Sequence, residues 1–120
     1  MKLIIAGSRH IHLSPEELYN IITEKIGAHW CYIVDEIVSG GAIGIDRSGE
    51  EFSERFCIML TRFPAGWAQY GFGAGPRRNL KMAEYADALL LVWDGKSKGS
   101  ANMKERMLGM KKPVYEVVRK

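Results

Sequence analysis

Short apolar runs alternate along this chain with stretches whose apolar residues recur at helical spacing. Residues 2–6 form an unbroken apolar run after Lys2, the pattern of a strand buried on both faces, and Gly7 ends it. Ser14 then opens a helix, because its hydroxyl suits the cap, Pro15 the first helical position and Glu17 the reciprocal half of a capping box. Leu18, Ile21, Ile22 and Ile26 carry the helical period as far as Gly27. A second strand is expected at residues 32–38, stopped by Ser39-Gly40-Gly41. A second helix is expected at residues 46–60, with Phe52, Phe56 and Met59 on one face. Residues 61–63, before Pro64, have the weakest strand pattern of the chain. Residues 66–75 hold four glycines and three aromatics without any period and read as a long loop. Pro76 opens a third helix at residues 76–86, Ala88–Trp93 is an apolar strand and residues 94–99 are a polar loop. A last helix at residues 100–110 and a last strand, Val114–Val118, complete the pattern.

This order predicts one Rossmann-like α/β domain over residues 1–120. It should have three layers, with a mostly parallel sheet of about five strands in the order 3-2-1-4-5 and helices on both faces. Right-handed crossovers then place every strand-to-helix loop along one edge of the sheet. No internal repeat, low-complexity segment or linker interrupts the pattern.

Composition narrows the function classes. A chain of 120 residues, 47% hydrophobic and 26% charged, has the balance of a globular domain rather than a disordered one. The 17 Lys+Arg exceed the 14 Asp+Glu by too little to imply duplex nucleic acid. The first apolar run is too short for a signal-peptide core, and no stretch reaches the ~20 apolar residues that span a bilayer. A cytoplasmic location without a membrane partner is expected. Cys31 and Cys57 fit neither a metal-ligand spacing nor a disulfide framework and read as reduced thiols. His10 and His12 have no carboxylate or cysteine at metal-site spacing, so neither metal nor cofactor is expected.

The unusual residues all fall on the predicted loop edge. They are Gly7-Ser8-Arg9, Gly40-Gly41-Ala42-Ile43-Gly44-Ile45-Asp46, Gly75-Pro76-Arg77-Arg78-Asn79, and the stretch from Gly95 to Gly99 and Ser100. Most of these join glycine to a hydroxyl or an arginine at a helix start, where unpaired N–H groups and a partial positive charge suit phosphate. Glycine admits the anion closely, and arginine adds a two-pronged charged clamp. Each segment alone has a plain alternative: turn glycines, solvated arginines, Asp46 as a helix cap, Trp67 and Tyr70 as packing residues rather than a stacking platform. Convergence on one edge favours a site. Neighbouring side chains on a helix lie about 100° apart, so one of Arg77 and Arg78 should face it, with Arg78 preferred.

GSR after the first strand, GGAIGID after the second, then W-x-x-Y-G-x-x-A-G-P-R-R-N and G-S-x-N-M together resemble the SLOG superfamily. Within it the likeness is to the small YspA/YpsA-related group, kin of the DNA-processing Smf/DprA proteins and the Lonely-guy phosphoribohydrolases. It covers residues 2–118. The resemblance implies a Rossmann-like fold with a nucleotide site at the strand C-termini. That site would be lined by Gly7, Ser8, Arg9, Gly40, Gly41, Gly44, Asp46, Arg77, Arg78, Asn79, Gly99 and Ser100. One departure matters. The Lonely-guy signature P-G-G-x-G-T-x-x-E ends in a carboxylate that serves N-glycosidic cleavage, whereas here Lys96 replaces the second glycine and the acid position falls on Asn102 or Met103. Neither an amide nor a thioether does the work of that acid.

The expected function is therefore binding of a nucleotide or nucleotide-derived small molecule through phosphate-cradling loops, as a sensor or sequestering module in nucleotide signalling or phage–host conflict. The first alternative is a phosphoribohydrolase-like enzyme acting on nucleotides or nucleotide sugars, with Asp46 as its candidate catalytic residue. The second is single-stranded DNA binding through Arg77, Arg78, Lys81 and Trp67, which the modest charge and the lack of an aromatic-basic series disfavour. A homo-oligomer is also expected. Leu80, Met82, Ala83, Tyr85 and Ala86 on one helix and Met103, Met107, Leu108 and Met110 on another look like more apolar surface than one small sheet covers.

Overall fold

The computed structural model of the chain describes residues 1–65 and 71–119, with the backbone but not the side chain of Phe72. Trp67 and Tyr70, the two candidates for a stacking platform, lie outside the described residues. The elements in chain order are β1 (Lys2–Gly7), α1 (Pro15–Lys25), α2 (Trp30–Ile33), β2 (Glu36–Ser39), α3 (Ile45–Arg55), β3 (Met59–Arg62), a 3-10 turn (Gly71–Gly73), α4 (Ala74–Tyr85), β4 (Ala88–Trp93), α5 (Lys98–Gly109) and β5 (Val114–Val118). The five strands form one parallel sheet in the order β3-β2-β1-β4-β5, the order that the sequence pattern predicts. The direction of winding reverses between β1 and β4, so the crevice beyond their C-terminal ends is the natural ligand position of such a sheet.

The strand period of two sorts the core into two faces. Leu3, Ile5, Leu90 and Val92 point to one side and pack under α1 and α3 with Leu18, Ile22 and Phe52. Ile4, Leu89 and Leu91 point to the other and pack under α4 and α5 with Met82, Ala83, Met103 and Met107. This packing corrects the apparent apolar surplus: Met82, Met103 and Met107 are almost wholly buried in the sheet-facing core, and Leu80 and Leu108 are the large apolar residues of those helices left exposed. The expected homo-oligomer therefore draws no support from the methionine faces.

Local chemistry explains where the element boundaries differ from expectation. Helix α1 starts as predicted: Ser14 Oγ accepts the Glu17 N–H at 3.1 Å and Glu17 Oε1 accepts the Ser14 N–H at 3.1 Å. The second strand, expected at residues 32–38, is instead the short helix α2 followed by β2. Trp30 is buried against Phe52 and Phe56, with its indole N–H donated to Thr23 Oγ1 at 3.1 Å, and this anchors a helical turn before the strand. Tyr32 is 86% exposed, which no residue of this sheet's interior would be, and pairing with β1 begins only at Glu36. Helix α3 stops at Arg55 rather than at residue 60, because Cys57 takes a left-handed conformation (φ 55°) that turns the chain into β3. Met59 and Leu60 then belong to β3, which pairs with β2 two residues earlier than expected. Helix α5 begins at Lys98, because Ser97 rather than a later residue caps it.

Candidate functional site

The loops beyond β1, β2 and β4 and the first turns of α3, α4 and α5 converge at the switch point. A chain of hydrogen bonds fixes them to one another. Ser8 is fully buried: its Oγ accepts the Asp94 N–H at 3.0 Å, and its carbonyl accepts the Ile45 N–H at 3.2 Å. It ties three loops together and is not among the residues that line the cavity these loops enclose. Asn79 is also buried and clips α4 to α5, with Nδ2 donating to the Gly99 carbonyl at 3.2 Å and to Asn102 Oδ1 at 3.0 Å. Arg78 spans the edge. Its Nη1 donates to the Gly40 carbonyl at 2.7 Å, and its Nε donates to Asn79 Oδ1 at 2.9 Å.

These struts enclose a cavity of about 270 Å³. Gly7, Arg9, Asp46, Arg78, Asn79, Gly99 and Ser100 line it, together with Ala6, Ala42, Met82, Ser97 and Met103, which were not among the expected lining residues. Ser97 had a readable cue, since a serine three residues before another helix-starting position suits an N-cap; its Oγ accepts the Ser100 N–H at 3.5 Å. Asp94 Oδ1 shapes the turn before it by accepting the N–H groups of Lys96 and Ser97 at 2.8 and 3.0 Å, and these bonds hold the Asp94 carboxyl below its ordinary value. The first turn of α5 thus faces the same space as two guanidinium groups.

Besides Ser8, four expected residues stand outside this lining. Gly40 and Gly41 line an adjoining hollow. The Gly41 N–H is already donated to Ser39 Oγ at 3.0 Å, so it is not a donor to an anion. Gly44 backs against the Ser8–Arg9 backbone. Arg77 is exposed on α4 and is not among the residues lining the cavity, while Arg78 is.

Asp46 supplies the one carboxylate among the described lining residues. It is 5% exposed, and Oδ2 accepts the Ala42 N–H at 3.2 Å. Burial pushes its carboxyl above the ordinary carboxylate value; the Ala42 N–H and the Arg78 charge oppose the shift without cancelling it. Arg78 is shifted down by its own burial, against the pull of Asp46, and remains a cation. The folded protein therefore holds the Asp46 proton more tightly than the unfolded chain does. The stability this contributes is complete below the ordinary carboxylate pKa and is lost as pH rises through the raised folded value. Asp46→Asn keeps an oxygen for the Ala42 N–H without the buried charge. In thermal melts it should exceed wild type in Tm at about pH 8, and the difference should close as pH falls to about 4.

Among the described residues no group of three or more His, Cys, Asp or Glu is placed to hold a metal ion. Nor is any described helix long and apolar enough to cross a membrane. The arrangement can hold an anion: two arginines and a helix start face a small cavity, and the one carboxyl among the described lining residues has its pKa raised by burial. No family model matches the chain, and neither does any curated protein or solved structure. The geometry itself establishes a Rossmann-like parallel α/β domain whose strand-end loops converge on a cationic cavity.

Proposed function

We propose that this protein binds a nucleotide or nucleotide-derived small molecule by its phosphate, as a SLOG-type sensing or sequestering module. The observation that carries this reading is the placement of Arg9, Arg78 and the first turn of α5 around one cavity at the switch point of the sheet. A phosphate there would take charge-assisted hydrogen bonds from the guanidinium groups and lie at the positive end of the α5 dipole. The SLOG resemblance of the loops supports the same assignment.

Binding without turnover is the favoured form of the proposal. In the position where the related hydrolases carry an acid, Asn102 is bonded to Asn79 and Met103 lines the cavity. N-glycosidic cleavage builds positive charge on the ribose, and a missing acid costs several powers of ten in rate. One observation keeps the enzyme reading alive: Asp46 lines the same cavity with a raised pKa, as a proton-transferring group would. Mass spectrometry of the small molecules released on denaturing the purified protein, with chromatography of nucleoside 5′-monophosphates incubated with it, separates the two. An intact nucleotide and no free base are the expected result. Steady release of base, abolished in Asp46→Asn, would overturn it.

A further inference from the structure

A second hollow, of about 420 Å³, adjoins the cavity. It shares Arg9, Ala42 and Arg78 with the cavity and adds Ile43, Pro64 and Ala65. The two spaces are chemically unlike. The first sets two hydroxyls, an amide and a carboxyl among Ala6, Ala42, Met82 and Met103; the second adds Ile43, Pro64, Ala65 and the glycine backbone of Gly40 and Gly41, and among its described residues has no polar side chain besides the two shared arginines. Ile43 is 60% exposed, so a large aliphatic side chain stands at the rim of this hollow without serving the core. At the boundary of the two spaces the Arg78 guanidinium is pinned at two points by Gly40 and Asn79. A planar cation held in place is a stacking surface for a heterocycle.

Resting on the nucleotide reading above, we infer that this hollow is the base subsite. The phosphate enters the cavity beside α5, and the base lies in the hollow against Ile43 and the Arg78 guanidinium. The inference extends to specificity. The Gly41 N–H is donated to Ser39 Oγ and the Ala42 N–H to Asp46 Oδ2, so the loop that walls the hollow has two of its backbone donors already bonded. The base is therefore held by its faces more than read at its edges, and faces are common to all bases. Purine and pyrimidine nucleotides should bind within about tenfold of one another.

Calorimetric titration of the full chain tests this with inorganic phosphate, ribose 5-phosphate and the four ribonucleoside 5′-mono- and diphosphates as probes. Ile43→Ser is the variant, chosen because an exposed side chain can be shortened without disturbing the core, with a thermal melt to verify the fold. The wild type should bind nucleotides roughly tenfold or more tightly than ribose 5-phosphate, the contribution of a stacked base. Ile43→Ser should remove most of that difference and leave ribose 5-phosphate binding unchanged. Equal loss for both probes, or nucleotide affinity unaffected by Ile43→Ser, would overturn the base subsite while leaving phosphate binding standing. A preference for one base well beyond tenfold would overturn the face-reading part. A wild type that binds neither ribose 5-phosphate nor any nucleotide would sink the nucleotide reading itself, and the subsite with it.

Discussion

Arg78→Ala is expected to lower affinity for a nucleoside 5′-phosphate by one to two decades, while Arg77→Ala leaves it close to wild type. A hydrogen bond to a charged group is worth roughly 1.5–3 kcal/mol, which is that range of affinity. Arg78 has more to lose than one bond. Its Nη1 and Nε hold the Gly40 loop to Asn79, so the truncated protein also loses the strut that sets the distance between β2 and α4. Asp46 would lose the positive charge that opposes its upward shift, leaving the cavity with one guanidinium and a more readily protonated carboxyl. Arg78→Lys separates these effects, because lysine keeps the charge but not the fork, and it should fall between wild type and alanine. Calorimetric titration with a nucleoside 5′-phosphate reads all three, and denaturant melts show whether the strut matters to the fold. Wild-type affinity in Arg78→Ala, or an equal loss in Arg77→Ala, would take Arg78 out of the site.

The choice between those two arginines was legible in the chain, but not from the arginines. Arg78 lies four residues before Met82, and Asn79 four before Ala83, both wholly buried on the sheet. Arg77 lies four before Lys81, which is exposed. The apolar stripe of α4 therefore sets the phase, even though the helix begins at Ala74, two residues ahead of the proline expected to open it. The strands Ala88–Trp93 and Val114–Val118 were legible at full length because an unbroken apolar run between polar loops has few other fates in an alternating α/β pattern. The region before β2 was not. Nothing local distinguishes Tyr32 and Ile33 from strand residues; the deciding fact is the burial of Trp30 against α3, a contact between segments distant in sequence. The roles of Ser8 and the loop glycines were hidden for the same reason. A serine that staples three loops and a serine that binds phosphate have the same neighbours in the chain.

The glycines of the site should separate into three groups by experiment, and the largest stability effect of any substitution considered is expected at Gly7. A Cβ there would stand 1.7 Å from the Val92 carbonyl oxygen and 3.0 Å from Ile45 Cγ1. The obstacle is the backbone of β4, paired with β1 at the centre of the sheet, so no rotamer change relieves it. Gly7→Ala should cost more than ~4 kcal/mol, a large fraction of the roughly 5–15 kcal/mol that holds a typical domain folded. Gly44 is constrained twice: its φ of 77° favours glycine, and a Cβ would meet the Ser8 carbonyl oxygen at 2.4 Å. The backbone strain alone amounts to about 1–3 kcal/mol, and the loop that must move is the one carrying Arg9. Gly44→Ala should therefore fold with reduced stability and bind weakly. Gly99 is the contrasting case, because nothing lies within 4 Å of a Cβ built on it although the residue lines the cavity. Alanine suits a helix better than glycine by roughly 0.5–1 kcal/mol, so Gly99→Ala should be at least as stable as wild type. If α5 receives the phosphate, the added methyl stands where the anion approaches, and affinity falls while the melt does not. Denaturant titration and calorimetry on the three variants read stability and binding separately. A Gly7→Ala protein with wild-type stability would contradict the close passage of β1 and β4, and undiminished nucleotide binding by Gly99→Ala would move the phosphate away from the start of α5.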